Sequence, residues 1–279
     1  MQFRNADDVI QWTAQWTGER SPDGRPHVSD DLLARIQKVT NEEAWAVLEG
    51  QGYKFQFEGS LSRVHPDKIL VGRAVTAVMV PKRPDLHDCL LEFGHQTEGR
   101  RGFFNTWVID ELGENDVMVV DMFDKVYEGT FSGGNLSSAI AARTKRGQVI
   151  FGGIRDLQQI MEIENLQTYY RGVDPTPIRD VTLVGINIPC RIGGAICMPG
   201  DIVLGTPSGL TFIPPHLAEE CCLTSERTRL RDVFGFERIR EGRYSSAAVD
   251  AQWDPAMEDD FRKWRQTHTP TDLQHVKWD

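Results

Sequence analysis

Ser132-Gly133-Gly134-Asn135-Leu136 and Gly152-Gly153-Ile154-Arg155-Asp156, with twenty residues between Gly134 and Arg155, frame the stretch that decides the fold. Between them Asn135–Arg146 carries Leu136, Ala139, Ile140 and Arg143 at helical spacing, and it is bracketed by two apolar runs, Asp116–Asp121 (DVMVVD) and Gln148–Phe151 (QVIF). Strand, helix, strand predicts a parallel pair joined by a crossover helix. Both glycine-rich ends then lie on one edge of the sheet, at the carboxyl ends of the strands, where open α/β folds bind ligands.

Outward from this unit, Leu32, Leu33, Ile36 and Val39, then Ala44, Val47 and Leu48, predict two consecutive helices over Ser29–Gly50, the second opened by the capping-box residues Thr40-Asn41-Glu42-Glu43. Ile69–Val80 is rich in β-branched residues and stops at Pro81, so it reads as a strand. Pro84-Asp85 opens a helix through Leu91, and Thr106–Leu112 reads as another. Val181–Ile188 is a third apolar strand, and Met198–Gly205 and Ser208–Pro214 read as two short strands around a tight turn. A helix over Pro215–Leu223 closes this part. After Thr224 the sequence turns charge-rich and tryptophan-bearing. It reads as an appendage with helices near Glu226–Glu241 and Asp254–Trp264, the latter with an apolar stripe of Met257, Phe261 and Trp264 that needs a neighbour or a partner subunit to cover it. The expected organisation is an N-terminal segment over 1–27, an α/β domain over 28–223 and a helical extension over 224–279.

Composition bounds the function classes. Of 279 residues, 41 are acidic and 31 basic, and a net charge of −10 without a basic block argues against nucleic acid as the main partner. No apolar run approaches the roughly 20 residues of a membrane span, and the first residues lack the order of a signal peptide, so no membrane partner and a cytoplasmic location are expected. The 5 cysteines read as reduced, mostly buried thiols, and no histidine shares a metal-type spacing with another or with a cysteine.

Two glycines opening a helix leave N–H groups at the positive end of its dipole, a site for a carboxylate or phosphate, although a tight strand-to-helix turn needs the same residues. Arg155 offers a fork for a substrate carboxylate, and Asp156 offers a hard oxygen for Mg2+ or Mn2+. Equally, Asp156 could be a helix N-cap with Arg155 as its surface neighbour.

The order GRAVTAVMVP (Gly72–Pro81), ENDVMVVD (Glu114–Asp121), the GGNL turn, GGIRD (Gly152–Asp156), INIPCRIGGAICMPGDIVLG (Ile186–Gly205) and SGLTFIP (Ser208–Pro214) resembles the RraA-like family. That family contains the regulator of ribonuclease activity A and the divalent-metal-dependent class II pyruvate aldolases acting on 4-hydroxy-4-methyl-2-oxoglutarate and 4-carboxy-4-hydroxy-2-oxoadipate. The resemblance implies a layered, swivelling β/β/α domain assembled as a homotrimer or homohexamer with sites between subunits. It implies that Asp156 binds Mg2+ or Mn2+, that Arg155 holds the oxo-acid end of the substrate, and that the N–H groups of Gly133, Gly134, Asn135 and Leu136 bind its carboxylate. The implied reaction is retro-aldol cleavage or decarboxylation through a stabilised enolate. The alternative is a non-catalytic regulator that binds a protein partner.

The chain departs from the aldolase pattern where Gly134 or Asn135 replaces an acidic residue, at Gln159, and at Thr206-Pro207-Ser208. Each departure removes a carboxylate that could order metal-bound water or act as a base. Glu128 is a candidate replacement, though a solvated loop glutamate is the simpler reading. His87 and His95 are candidate bases, though scattered histidines usually lie on the surface, and Arg243-Tyr244 could cover a neighbouring site or merely pack within the tail.

Overall fold

The computed structural model describes residues 3–276 and 278, and the chain divides into two compact units, Met1–Ala218 and Glu219–Asp279.

In the first unit, α1 (Ala6–Trp12), α2 (Asp30–Ile36) and α3 (Asn41–Gly50) precede the sheet. The side chains of Asn5, Ser29 and Thr40 cap these three helices, and Thr40 and Glu43 complete the capping box. The strands are β1 (Phe57–Glu58), β2 (Ser62–Arg63), β3 (Leu70–Pro81), β4 (Asp116–Asp121), β5 (Thr130–Ser132), β6 (Gly147–Ile154), β7 (Gln167–Val173), β8 (Val181–Ile186), β9 (Cys190–Ile192), β10 (Ala195–Cys197), β11 (Ile202–Thr206) and β12 (Gly209–Ile213). Between them lie α4 (Pro84–Glu92), α5 (Phe104–Asp110), α6 (Gly134–Thr144) and α7 (Leu157–Met161).

The main sheet runs β1-β12-β11-β3-β4-β6-β7-β2, with β5 beside β6 and β8 beside β3. Its centre, β3-β4-β6-β7, is parallel, and β11, β12, β8 and β2 flank it antiparallel. Alternation along β4 explains the layering. Met118 and Val120 join a core that holds Phe104, Trp107 and Ile140 from α5 and α6. Val117 and Val119 join another, with Cys190, Cys197 and Phe212 from the β9–β10 hairpin and β12. A strand buried on both faces has no polar side to show, which is why DVMVVD is apolar without alternation.

The expected strand Gln148–Phe151 extends to Ile154, passing through Gly152 and Gly153, and β7 was not expected at all. The two helices expected around Leu223 are one, α8 (Ala218–Arg240), because neither glycine nor proline interrupts Thr224-Ser225.

In the second unit, α8 is followed by α9 (Ser246–Asp250) and α10 (Pro255–His268). The Met257, Phe261 and Trp264 stripe, expected to need a neighbour, is buried within this unit against Leu230, Phe234 and Trp253. It therefore gives no ground for an oligomer. Arg243 and Tyr244 both reach Asp260, at 3.3 and 3.2 Å, and belong to the same packing. Among the described residues no helix is long and apolar enough to cross a membrane. Cys190, Cys197, Cys221 and Cys222 are buried, and Cys89 is exposed.

Candidate functional site

The carboxyl end of β6 is shaped by close backbone approach. A Cβ on Gly152 would stand 2.5 Å from Met122 Cβ, and one on Gly153 would stand 2.7 Å from Val126 O, because residues 122–129 cross over the strand. The Gly153 N–H donates to Lys125 O (3.0 Å) and Gly129 O (3.1 Å), and the Arg155 N–H donates to Ser132 O (3.1 Å). These bonds bring the β6 end against the start of α6.

Asp156 then adopts the left-handed conformation, φ +54°, at the N-cap position of α7, yet its carboxylate does not cap that helix. Instead Oδ2 accepts the Gly134 N–H at 3.2 Å. First-turn N–H groups of a helix have no intrahelical partner, so Asp156 satisfies one of them and favours the positive end of the α6 dipole. The two glycines leave room for their neighbours' side-chain ends: a Cβ on Gly133 would meet Asp156 Oδ2 and one on Gly134 would meet Gln159 Oε1, so either substitution would push those polar ends aside. Arg155 Nε lies 3.7 Å from Asp156 Oδ2, and the two side chains are 41% and 42% exposed. Asn135 is exposed and Leu136 half-buried on the same first turn.

Behind this corner a buried polar network fixes the elements. Ser132 Oγ donates to Gln148 Oε1 (3.0 Å), and Gln148 Nε2 donates to Ser137 Oγ (3.0 Å) and Thr168 Oγ1 (3.1 Å). Fully satisfied networks of this kind rigidify what they connect, here β5, β6, β7 and α6.

Sequence reading thus brought together Gly133, Gly134, Arg155 and Asp156, which the fold joins at one corner, but it assigned no role to Asp121 or to the Gln159–Gly134 contact. Asp121 ends β4 on the same strand edge, in register with Phe151, and accepts the Phe123 N–H at 2.8 Å. Burial pushes its carboxyl above the ordinary range. The run DVMVVD itself carried the signal, an acid closing an otherwise apolar parallel strand.

The remaining candidates lie in other settings. Glu128 is not a solvated loop residue: its side chain is mostly buried and pairs with Arg179 at 3.4 Å, while its carbonyl accepts the Arg179 N–H. His87 is buried, edge-on to Phe104, with Nδ1 3.0 Å from Thr182 Oγ1. His95 contacts Arg100 O and Trp107. Thr206 is held by Asn41, whose Nδ2 donates to its hydroxyl at 2.9 Å.

Among the described residues no three His, Cys, Asp or Glu side chains gather around a common point. A hydrated divalent ion needs less: Mg2+ dehydrates reluctantly and is held by one or two carboxylates with water and substrate completing the shell. The half-exposed Asp156 carboxylate, with the neutral Gln159 amide beside the same helix start, fits that minimal donor set.

A profile of the Aldolase/RraA family, described as RraA-like, matches residues 26–211. A protein of Halalkalibacterium halodurans named "Putative 4-hydroxy-4-methyl-2-oxoglutarate aldolase" is 28% identical over 86 residues, 31% of this chain and 40% of that protein. The match thus spans less than half of that relative's length. Streptomyces coelicolor RraAS2, described as an unusual member of the RNase ES inhibitor RraA protein family, superposes with a TM-score of 0.62 at 21% identity, over 77% of this chain and 98% of its own. An uncharacterized protein from Pseudomonas syringae pv. tomato superposes with a TM-score of 0.63 at 19% identity, over 81% and 95%. These two likenesses concern the fold, a layered α/β sheet domain.

Proposed function

Because the chain belongs to the RraA-like family, which includes both oxo-acid aldolases and ribonuclease regulators, we propose that it is a divalent-metal-dependent lyase acting on a 2-oxo acid or a related carbonyl compound. The observation that carries this reading is the turn of Asp156. Its carboxylate leaves its own helix uncapped and accepts an N–H at another helix start, beside a half-exposed arginine, so an anion-binding helix end, a hard oxygen and a guanidinium meet at one corner.

Asp156 would hold Mg2+ or Mn2+, which supplies Lewis-acid polarisation of the substrate carbonyl when bound. The chain's own residues do the rest. The first-turn N–H groups of Asn135 and Leu136 face an anionic substrate end at the positive pole of α6, whereas the Gly134 N–H is already engaged by Asp156. Arg155, a planar fork, pairs with the oxo-acid carboxylate and faces the oxygen on which enolate charge develops as the C–C bond breaks. Retro-aldol cleavage and decarboxylation both pass through that charge. Gln159 cannot accept a proton, so the base is sought elsewhere. We assign the working form to a homotrimer or homohexamer, on the resemblance alone.

The test is metal-dependent pyruvate release from a panel of 4-hydroxy-2-oxo acids. Turnover with Mg2+ or Mn2+ that chelation abolishes, and that is lost in Asp156→Ala with an unchanged circular dichroism spectrum, is the expected result. The regulator reading draws support from the missing carboxylates. It takes over if no substrate turns over and Mg2+ does not bind, and inhibition of a ribonuclease is then its assay.

A further inference from the structure

A cavity of about 390 Å3 in the Met1–Ala218 unit is built from residues that take no part in the Arg155–Asp156 corner. Trp12, Gln15 and Trp16 from the N-terminal segment, Tyr53, His216 and Asp201 contribute to its wall. Its volume sits toward the lower end of the roughly 300–1,000 Å3 of small-molecule sites, so it suits one small ligand.

Two of the aromatic walls are held before any ligand arrives. The Tyr53 hydroxyl donates to Gln15 Oε1 (3.1 Å) and lies 3.2 Å from His216 Nε2, with the two rings 5.9 Å apart. The Trp16 indole N–H donates to Glu19 O at 2.7 Å, and Gly18 packs on the ring so closely that a Cβ there would stand 2.5 Å from Cζ2. Trp12, by contrast, is 42% exposed, a large aromatic that the core does not account for. Preorganised walls lower the ordering cost of binding.

The charge of the wall selects the ligand. Among the described residues that line the cavity there is neither lysine nor arginine, and Asp201 is its single acidic group. The Asp201 side chain is 2% exposed and accepts the Met198 N–H at 2.8 Å. Aromatic faces are electron-rich, and a bound cation favours the ionised form of the buried Asp201 carboxyl, so rings and acid act in the same direction: both attract a cation and neither attracts an anion. The hydroxyl of Tyr53 and the amide of Gln56 (2.7 Å to Phe212 O) are already engaged, which leaves a neutral polyol the amides of Gln11 and Gln15 as donors. Burial keeps the His216 imidazole below its ordinary range and hence neutral near pH 7, so it does not oppose a cation.

We propose that this cavity binds a small free organic cation, an alkylammonium or quaternary ammonium compound, between Trp12, Trp16 and Tyr53 and over Asp201. The site stands apart from the lyase reading, since its test involves no turnover.

Isothermal titration of the full chain with choline, tetramethylammonium and n-butylammonium, against 3,3-dimethyl-1-butanol as the neutral counterpart of choline, decides it. At least one cation binds, choline binds at least tenfold more tightly than its neutral counterpart, and Trp12→Ala and Asp201→Asn each weaken the cation tenfold or more. Should Asp201→Asn fail to fold, Trp12→Ala and Trp12→Phe carry the test, because Trp12 is exposed and its phenylalanine variant retains part of the affinity. The proposal is overturned if none of the three cations binds, if choline and dimethylbutanol bind alike, if methyl glucoside binds more tightly than choline, or if Trp12→Ala leaves the affinity unchanged.

Discussion

Arg25 and Asp116 meet in two hydrogen bonds of 2.9 and 3.2 Å with side chains 7% and 5% exposed, whereas Arg155 and Asp156 approach only to 3.7 Å and are each about two-fifths exposed. Asp23 adds a third bond to Arg25, at 2.7 Å. Burial acts to lower the Arg25 pKa, yet Asp116 and then Asp23 raise it above its ordinary value. The first pair is buried, and its polar atoms are engaged with each other, with Asp23, with Ala74 O and with the Gly113 N–H. The second is open, with its carboxylate committed to a helix start and its guanidinium unsaturated by Asp156. Chemical identity is shared and accessibility differs, which is why the second pair is the one proposed to act on a substrate.

The comparison breaks most visibly if the closed pair can be dispensed with. Arg25→Met strands two buried carboxylates and is expected to cost about 3–5 kcal/mol in urea denaturation. A loss below about 1 kcal/mol would make the buried pair no more structural than the exposed one. Next in size, Arg155→Lys should lower kcat/KM on the true substrate by on the order of a hundredfold, about 2.7 kcal/mol, while stability changes by well under about 1 kcal/mol. Full activity of that variant would remove Arg155 from catalysis.

A third acid sharpens the contrast, since Asp201 is as buried as Asp116 but has no arginine. Its pKa is pushed up from 3.8 to about 7 by burial, against the Met198 N–H, which lowers it. The folded state thus holds this proton more tightly than the unfolded chain. Its contribution is complete below about pH 4 and is lost as pH rises toward 7, at up to about 1.4 kcal/mol per pH unit. Asp201→Asn should flatten the stability profile in that window, and an unchanged slope in thermal melts between pH 4 and 7 would contradict the assignment. The smallest expected effect is that of Asp156→Asn. Asparagine tolerates the left-handed conformation and its amide oxygen can still accept the Gly134 N–H, so stability should shift by no more than about 0.5 kcal/mol while Mg2+ binding by titration is lost.

Legibility followed the range of the interactions. The β4 run, the crossover helix and the capping box at Thr40 and Glu43 are set by neighbours three or four residues apart, and each lies where its pattern puts it. Gly152 and Gly153 misled because glycine in a sequence reads as a turn. In the fold they continue β6, and only the crossing of residues 122–129 explains the missing side chains. The α10 stripe was visible as periodicity, yet a stripe does not say what covers it, and Phe234 on α8 does so at 5.3 Å from Phe261. His87 carried no mark of burial in its local sequence.

The sequence by itself determined the strand–helix–strand unit, the glycine-opened helix and the adjacency of Arg155 to Asp156, because backbone propensity and side-chain period act locally. Tertiary structure decided that Asp156 serves the start of α6 across 22 residues instead of its own helix, and that Arg25 finds Asp116 across 91. It also decided that three aromatics and one acid share a cavity. Those outcomes depend on which surfaces exclude water and how closely two backbones approach, and both are properties of the packed layers that no short window of sequence contains.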